Sequence, residues 1–247
     1  SVARKGAHDE RKLRRLDDSH ISLLTSLSRG RTLVTLAPEV AAPGVVARLA
    51  DAGVLVSAGH TDATYRQARA AMGEGVTKVT HLFNAMSPLT SRAPGVVGAA
   101  LDDPHCRCGI IVDGRHVDPV TLRLALRCKP HDRFLIVTDA MPSVGAAETT
   151  FVLQGKRITV KDGVCVDDAG TLSGAHIDMA TSVRNARDLV GVSLADAVRM
   201  ASEYPADFLG LGDVYGRIVA GARANFVVAD DDLNVTETWV EGLGLKA

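Results

Sequence analysis

The chain has 247 residues, with 28 Lys or Arg and 29 Asp or Glu, which gives a formal net charge of −1 at pH 7. This balance argues against a nucleic-acid-binding surface, and aromatic residues, at 4%, are too few for a base-stacking platform. Hydrophobic residues at 46% and charged residues at 23% are typical of a globular protein and exclude a disordered one. No apolar run approaches the roughly 18 residues of a membrane-spanning helix, so we expect no membrane partner.

The first residues and the cysteines favour a cytoplasmic protein. The start of the chain lacks the basic-then-apolar pattern of a signal peptide. The 4 cysteines, two of them at Cys106 and Cys108, do not make a disulfide framework. Cys106 and Cys108 fall at the entry of a strand, where we interpret them as small buried hydrophobic residues rather than ligands.

Short β-branched runs alternate with helical stretches over the first part of the chain. Strands are predicted at Arg31–Leu36, Val54–Ser57, Val76–Thr80, Cys108–Val112 and Phe134–Thr138. Helices are predicted between them at about residues 43–51, 62–73 and 119–128. Strands that alternate with helices indicate crossover connections and a parallel sheet.

Polar and ionisable residues gather at the carboxyl ends of these five strands. In a β/α barrel this is the face that carries catalytic groups. An open doubly wound sheet also binds at its strand ends, but it usually carries a G-x-G-x-x-G turn that this sequence lacks. The barrel is therefore the favoured fold. The segments concerned are Ala37-Pro38-Glu39, Gly59-His60-Thr61, His81-Leu82-Phe83-Asn84, Asp113-Gly114-Arg115-His116 and Asp139-Ala140-Met141.

The pattern changes after Met141. Strands are predicted at Thr150–Leu153, Arg157–Val160 and Val164–Val166, with a hairpin signature at Asp162-Gly163, and again at Asn225–Ala229 and Val235–Val240. Two helices are predicted between these groups, at about 177–190 and 194–208. We therefore divide the chain into a β/α barrel over 1–212 and part of a small β domain over 213–247, which has too few strands to be stable alone.

His60 and His81 each follow a strand and lie 21 residues apart (81 − 60), about one β/α unit. Adjacent barrel strands then direct both imidazoles into one mouth. Two neutral imidazoles with a carboxylate or water can bind a divalent transition metal and leave a position open for a hydrolytic water. Either histidine alone would more simply cap a strand end, whereas the pair together with Asp139 favours a metal site.

Asp139 ends the most hydrophobic strand, so we expect a desolvated carboxylate whose pKa burial would raise and a nearby metal would lower. Such a group suits proton transfer from water to a leaving amine. A helix N-cap is the alternative role for this residue.

Residues at the same rim offer anion contacts. Arg92 and the 113–116 segment carry donors that suit a phosphate, although exposed loop charge is the simpler explanation for Arg115. Leu172-Ser173-Gly174 lies just before a helix, where backbone N–H groups can hold a ligand oxygen.

Seven motifs occur in an order that resembles the N-acetylglucosamine-6-phosphate deacetylases, a family of the amidohydrolase superfamily. The resemblance covers essentially the whole chain, and Thr-His-Leu-Phe-Asn-Ala-Met is a highly specific motif. The motifs are Lys-Gly-Ala-His (5–8), Leu-Ala-Pro-Glu (36–39), Ser-Ala-Gly-His-Thr (57–61), Thr-His-Leu-Phe-Asn-Ala-Met (80–86), Asp-Gly-Arg-His-Val-Asp (113–118), Val-Thr-Asp-Ala (137–140) and Gly-Thr-Leu-Ser-Gly (170–174).

The resemblance implies a TIM-like (β/α)8 barrel, a divalent cation (zinc first, iron or another transition metal as alternatives), a phosphorylated amino sugar as substrate and a homodimer. His60 and His81 match the family's metal-binding histidines, Asp139 its catalytic acid/base, and His8 the histidine that contacts the acetamido group. Some phosphate contacts are expected from a second subunit, at His116 or its neighbours. The matched substrate-binding positions are Ala7, His8, Asn84, Ala85, Arg92, Asp113, Gly114, Arg115, His116, Leu172, Ser173 and Gly174.

The sequence departs from the family in one respect. The family's metal-binding Glu lies in a Leu-Glu-Gly-Pro motif a few residues before the equivalent of Ser1, and about three of eight barrel strands have no counterpart here. We expect the chain to be the C-terminal two-thirds of the enzyme, in which Glu39 does not replace the missing Glu. Two other hypotheses stay open: an amidohydrolase acting on a cyclic amide or another acylamino sugar, and a truncated, non-catalytic fragment.

Overall fold

The computed structural model describes residues 1–246, in two compact units. One comprises Ser1–Ile110 and Asp139–His176, and the other comprises Ile111–Thr138 and the residues from Ile177 onward. The strands are β1 (Leu33–Leu36), β2 (Leu55–Ala58), β3 (Val76–Val79), β4 (Arg107–Ile110), β5 (Phe134–Ile136), β6 (Thr150–Leu153), β7 (Lys156–Lys161), β8 (Val164–Asp167), β9 (Leu172–Ala175), β10 (Phe226–Ala229), β11 (Val235–Val240) and β12 (Leu243–Lys246). The α-helices are α1 (Asp18–Leu24), α2 (Val45–Asp51), α3 (Tyr65–Glu74), α4 (Gly95–Asp102), α5 (Pro119–Leu126), α6 (Met179–Asn185), α7 (Leu194–Ala201) and α8 (Glu203–Phe208).

In the first unit, β1 to β4 form a parallel sheet in chain order. Val56 and Val79 are fully buried, as is Leu49 of α2. Side chains two residues apart on a strand share a face, and Ser57, between Val56 and Ala58, lies on the opposite face. Its hydroxyl is 2.6 Å from that of Thr80. The sheet therefore has one apolar face and one face that carries hydroxyl groups.

Gly59 shows how closely the strand ends pack. A Cβ at this position would lie 2.7 Å from Thr35 Cγ2 and 2.9 Å from Thr80 Cβ. Only glycine fits between the two threonines without displacing a strand, and His60 follows directly.

The remaining strands of the first unit, β6 to β9, form an antiparallel sheet. Its first two hairpins turn at Gln154-Gly155 and Asp162-Gly163, where all four residues have positive φ. This is the geometry that two-residue hairpin loops prefer, and it confirms the hairpin predicted at Asp162-Gly163.

The second unit contains β5, whose three residues are buried, helices α5 to α8, and the antiparallel sheet β10-β11-β12. The single helix predicted over 194–208 is wrong, because the chain forms α7 and α8 instead. Ser202 leaves helical geometry at φ −133° and ψ −65°, and Pro205, which has no N–H, cannot donate to Ala201 and continue α7. The division of the chain at residue 212 stays a prediction. No helix in the described part of the chain combines the length and apolar character needed to cross a membrane.

Candidate metal and catalytic site

Three residues of the site have left-handed backbone conformations. The φ angles are 49° at His60, 33° at His81 and 52° at Asp139. Such angles are uncommon outside glycine and persist only where the surrounding structure enforces them, which is frequent at functional sites. The strain marks the residues that the sequence indicated for chemistry.

The His60 and His81 rings meet at their Nε2 atoms, which lie 3.1 Å apart. His60 Nδ1 lies 2.9 Å from the Arg4 carbonyl oxygen, so this nitrogen carries the proton and Nε2 presents a lone pair. Metal-binding histidines are commonly oriented by such a bond at the other ring nitrogen.

The pair fits a metal ion. His81 Nδ1 is buried without a hydrogen-bond partner, and two Nε2 lone pairs that face each other repel unless a proton or a cation lies between them. Two nitrogen ligands of one tetrahedral zinc would be about 3.3 Å apart, close to the observed separation. Within residues 1–246 no group of three or more His, Cys, Asp or Glu side chains is placed to hold a metal, so the described part of the chain offers two ligands.

Both imidazoles are neutral at pH 7. Burial, with the nearby His81 ring, lowers the pKa of His60 to about 4. Burial also lowers the pKa of His81, although the Asp139 carboxylate opposes that shift. Neutral rings bind a cation without first losing a proton.

His8, His60, His81 and Asp139 line one cavity of about 660 Å³ in the first unit. The His8 ring packs edge-on against the His60 ring at a centroid distance of 4.6 Å. Asp139 is exposed, in contrast to the desolvated carboxylate that we expected. The three side chains predicted for metal binding and proton transfer therefore lie together with His8, which the resemblance linked to the acetamido group.

Strand β9 supports the Asp139 segment. Asp139 O accepts a 2.8 Å hydrogen bond from Ala175 N, and Met141 N donates to Ala175 O at 3.0 Å. A Cβ at Gly174 would lie 2.9 Å from Asp139 O, so glycine permits this close approach. The expectation that Leu172-Ser173-Gly174 directly precedes a helix is wrong, since these residues belong to β9 and α6 begins only at Met179.

The other positions of the first unit that we predicted to bind substrate lie outside the cavity lining. Ala85 has φ 48°, and its carbonyl accepts a 3.1 Å hydrogen bond from Thr61 N. Asn84 Nδ2 donates to His81 O at 3.3 Å. Arg92 is exposed in the loop before α4, and Ala7 precedes His8.

Asp113 and His116 form a buried pair in the second unit. His116 Nδ1 is 2.6 Å from Asp113 Oδ2, while Asp113 Oδ1 accepts 2.8 Å bonds from the N–H groups of Arg115 and His116. Burial alone would raise the pKa of the Asp113 carboxyl, but these bonds outweigh it and the pKa is lowered. Asp113 therefore fixes the orientation of the His116 ring. Gly114, with φ 67°, makes the turn between them, and the Arg115 side chain is exposed.

One contact, between Gln154 and the segment of His8, was not predicted from the sequence. Gln154 Oε1, at the tip of the β6–β7 hairpin, accepts a 2.7 Å hydrogen bond from Asp9 N. The two residues are 145 positions apart, and no local pattern relates them. This bond ties the hairpin to the residue that follows His8.

We expect Gln154→Asn to raise KM for the substrate about two- to tenfold with little change in folding, since one net hydrogen bond contributes about 0.5–1.5 kcal/mol. Asn tolerates the left-handed φ of 52° at this position, but its side chain is one methylene too short to reach Asp9. Steady-state kinetics provide the measurement, with Asp162→Asn at the neighbouring hairpin tip as the matched control. An unchanged KM would show that this bond does not support His8.

Known proteins match this chain over nearly all of its length. Residues 4–243 match the model of the amidohydrolase family. An N-acetylgalactosamine-6-phosphate deacetylase of Shewanella sp. (strain ANA-3) is 38% identical over 243 residues, which are 98% of this chain and 61% of that protein. The crystal structure of N-acetylglucosamine-6-phosphate deacetylase from Pasteurella multocida is 41% identical, with a TM-score of 0.95 over 100% of this chain and 65% of that one.

A third match is a Mycobacterium smegmatis N-acetyl-D-glucosamine-6-phosphate deacetylase in complex with N-acetyl-D-glucosamine-6-phosphate. It is 36% identical, with a TM-score of 0.90 over 99% of this chain and 65% of that one. This chain thus spans less than two-thirds of the length of each of these three proteins. The likeness confirms the predicted fold class, a partial β/α barrel of the amidohydrolase type with part of a small β domain. Because the family model matches residues 4–243, which is nearly the whole chain, the chain belongs to the amidohydrolase family.

Proposed function

We propose that the protein hydrolyses the acetamide of N-acetylglucosamine 6-phosphate to glucosamine 6-phosphate and acetate, a step of amino-sugar catabolism. The observation that carries this proposal is the convergence of His8, His60, His81 and Asp139 on one cavity. The bound sugar phosphate in the similar Mycobacterium smegmatis structure supports the choice of substrate.

His60 and His81 would hold a divalent cation through their Nε2 atoms, and zinc is our first choice because it favours imidazole ligands. When bound, such a cation supplies Lewis acidity toward the amide carbonyl and the attacking water. Asp139 takes the proton of that water as its oxygen bonds to the carbonyl carbon. Asp139 then gives the proton to the amide nitrogen as the C–N bond breaks, which releases acetate and the free amine. His8 contacts the acetamido group and helps to polarise its carbonyl.

The remaining positions would bind the sugar and its phosphate. We assign the acetamido side to Ala7 and His8. We assign the anionic side to Arg92, whose guanidinium group matches phosphate oxygens bidentately, and to His116, whose ring N–H can donate to one of them. We also propose a homodimer in which His116 or a neighbour contacts the phosphate bound by the second subunit. The other proposed contacts are Asn84, Ala85, Asp113, Gly114, Arg115, Leu172, Ser173 and Gly174.

A second candidate substrate is N-acetylgalactosamine 6-phosphate, because the similar Shewanella protein is named for it. The two sugars differ only in the configuration of one hydroxyl group, so the same acetamide chemistry applies to both. Comparing kcat/KM for the two phosphorylated sugars tests the choice. A higher value for the galactosamine compound would reassign the substrate and leave the reaction type intact.

Phosphate recognition makes a prediction for Arg92. Arg92→Ala should reduce kcat/KM for N-acetylglucosamine 6-phosphate and hardly affect the slow reaction of unphosphorylated N-acetylglucosamine. The ratio between the two should fall about 10-fold or more, since a charge-assisted hydrogen bond contributes about 1.5–3 kcal/mol. The exposed Arg66 of α3 provides the control as Arg66→Ala. Equal losses on both substrates would show that Arg92 serves the structure.

A further inference from the structure

The proposed reaction gives no role to Glu39, the one carboxylate of the Leu-Ala-Pro-Glu motif. Glu39 closes the Leu36–Glu39 motif in the loop after β1, where it is half-buried. Its Oε2 accepts a hydrogen bond from the Thr61 hydroxyl, and its Oε1 accepts a 2.7 Å bond from Asp62 N. Both donors lie in the loop that begins with His60. An ionised carboxylate only accepts hydrogen bonds, so it matches this pair of donors.

Thr61 links this loop to the one that follows His81. Thr61 N donates to Ala85 O at 3.1 Å, and Thr61 O accepts from Ser87 N at 3.1 Å. Its hydroxyl oxygen also accepts from Ala63 N at 3.1 Å, so every polar group of this residue is used. Thr61 is fully buried, and leaving any of these groups unpaired would therefore be costly.

Both loops that Thr61 joins are strained. His60 has φ 49°, and in the partner loop Phe83 has φ 79° and Ala85 has φ 48°. Non-glycine residues keep such angles only where other contacts enforce them. The hydrogen bonds of Thr61 supply contacts of this kind, and the Glu39 carboxylate fixes the Thr61 side chain.

We propose that Glu39 is a positioning residue, whose carboxylate fixes Thr61 and thereby holds the His60 loop and the 82–87 loop in one arrangement. The role rests on the proposed function, because those loops carry the metal-binding and sugar-binding residues of that site. Glu39 acts through its neighbours and takes no part in proton transfer.

The chemistry of the side chain makes the proposal testable. Glu39→Gln preserves the shape of the side chain. If its amide oxygen accepts from Asp62 N, its NH2 group faces the Thr61 hydroxyl, which then has no acceptor. Thr61→Val removes the hydroxyl that donates to Glu39, which is the other partner of the same hydrogen bond. Both substitutions remove the hydrogen bond between Glu39 and Thr61, so their effects should not multiply in the double variant. Thr61→Val also removes the acceptor of Ala63 N, so the double variant should resemble Thr61→Val.

We expect each single variant to weaken Zn²⁺ binding about 10–100-fold, the usual cost of losing a group that orients a metal ligand. The double variant should bind Zn²⁺ no more weakly than Thr61→Val alone. The measurement is Zn²⁺ affinity of the whole protein by competition with a chromogenic chelator, with thermal melting to confirm folding. Thr61→Ser, which keeps the hydroxyl, should restore most of the affinity, and the exposed Glu74→Gln serves as the matched control.

Wild-type Zn²⁺ affinity in Glu39→Gln, or losses that multiply in the double variant, would overturn the proposal. If Glu39→Gln does not fold, the comparison of Thr61→Val with Thr61→Ser decides, and equal affinities would overturn it. Metal affinity is read without any sugar substrate. A failure to hydrolyse the acetamide would therefore contradict the proposed function and leave this test valid.

Discussion

Asp139→Asn should leave the fold intact and lower kcat about 10²- to 10⁴-fold, the contribution of a positioned general acid/base. The amide keeps the size of the carboxylate but can neither take a proton from water nor deliver one to the leaving amine. The hydrogen bond that Asp139 O accepts from Ala175 N does not involve the side chain, so the loop has no reason to move. The loss should fall on kcat and kcat/KM alike, with KM nearly unchanged.

The control for this experiment is Asp168→Asn, which changes an exposed carboxylate in the β8–β9 turn. Steady-state rates, measured with saturating divalent cation, separate loss of proton transfer from loss of metal. A turnover number within a few-fold of the wild-type value would remove Asp139 from the mechanism.

His81→Ala should weaken divalent-cation binding by at least about 100-fold, because even a group that only orients a metal ligand is worth about 10–100-fold. Activity should fall in parallel. His81 is buried, with only 7% of the residue exposed, so thermal melting must accompany the titration. His105→Ala, at an exposed histidine, is the matched control. Equal cation affinity in the His81 variant and the wild type would exclude this ring as a ligand.

The pH dependence of cation binding follows from the lowered histidine pKa values. A ring whose pKa is lowered stays neutral as the pH falls, so protons begin to compete with the metal only near the lowered value. Affinity should not weaken as pH falls through about 6.5, the pKa of an unperturbed imidazole. At the His60 ring the weakening should begin near its pKa of about 4.

Local sequence patterns predicted the strands because a run of β-branched residues favours a strand wherever it occurs in the chain. All five barrel strands were predicted within a few residues of their ends, and the spacing of His60 and His81 correctly placed both rings at one edge. The hairpin at Asp162-Gly163 could also be predicted, since an Asp-Gly pair favours a two-residue hairpin turn.

What escaped prediction depends on tertiary contacts. Helix α4 contains Gly95 and Gly98, which ordinarily oppose a helix, but a Cβ at Gly98 would lie 2.5 Å from Pro94 Cβ and one at Gly95 2.5 Å from Pro88 O. Close packing therefore selects glycine against helix propensity. Two contacts join residues that are distant in the chain: β9 packs on the Asp139 segment, and Asp9 N donates to Gln154. Local patterns in a single sequence do not predict such pairs.

The most direct test of the central claim is acetate release from N-acetylglucosamine 6-phosphate by the whole protein that carries these residues. The protein loaded with a divalent cation should produce acetate and glucosamine 6-phosphate in equal amounts. A chelator should stop the reaction, and added cation should restore it. Hydrolysis that continues undiminished after chelation, or the absence of any acetate from the loaded and folded protein, would contradict the account.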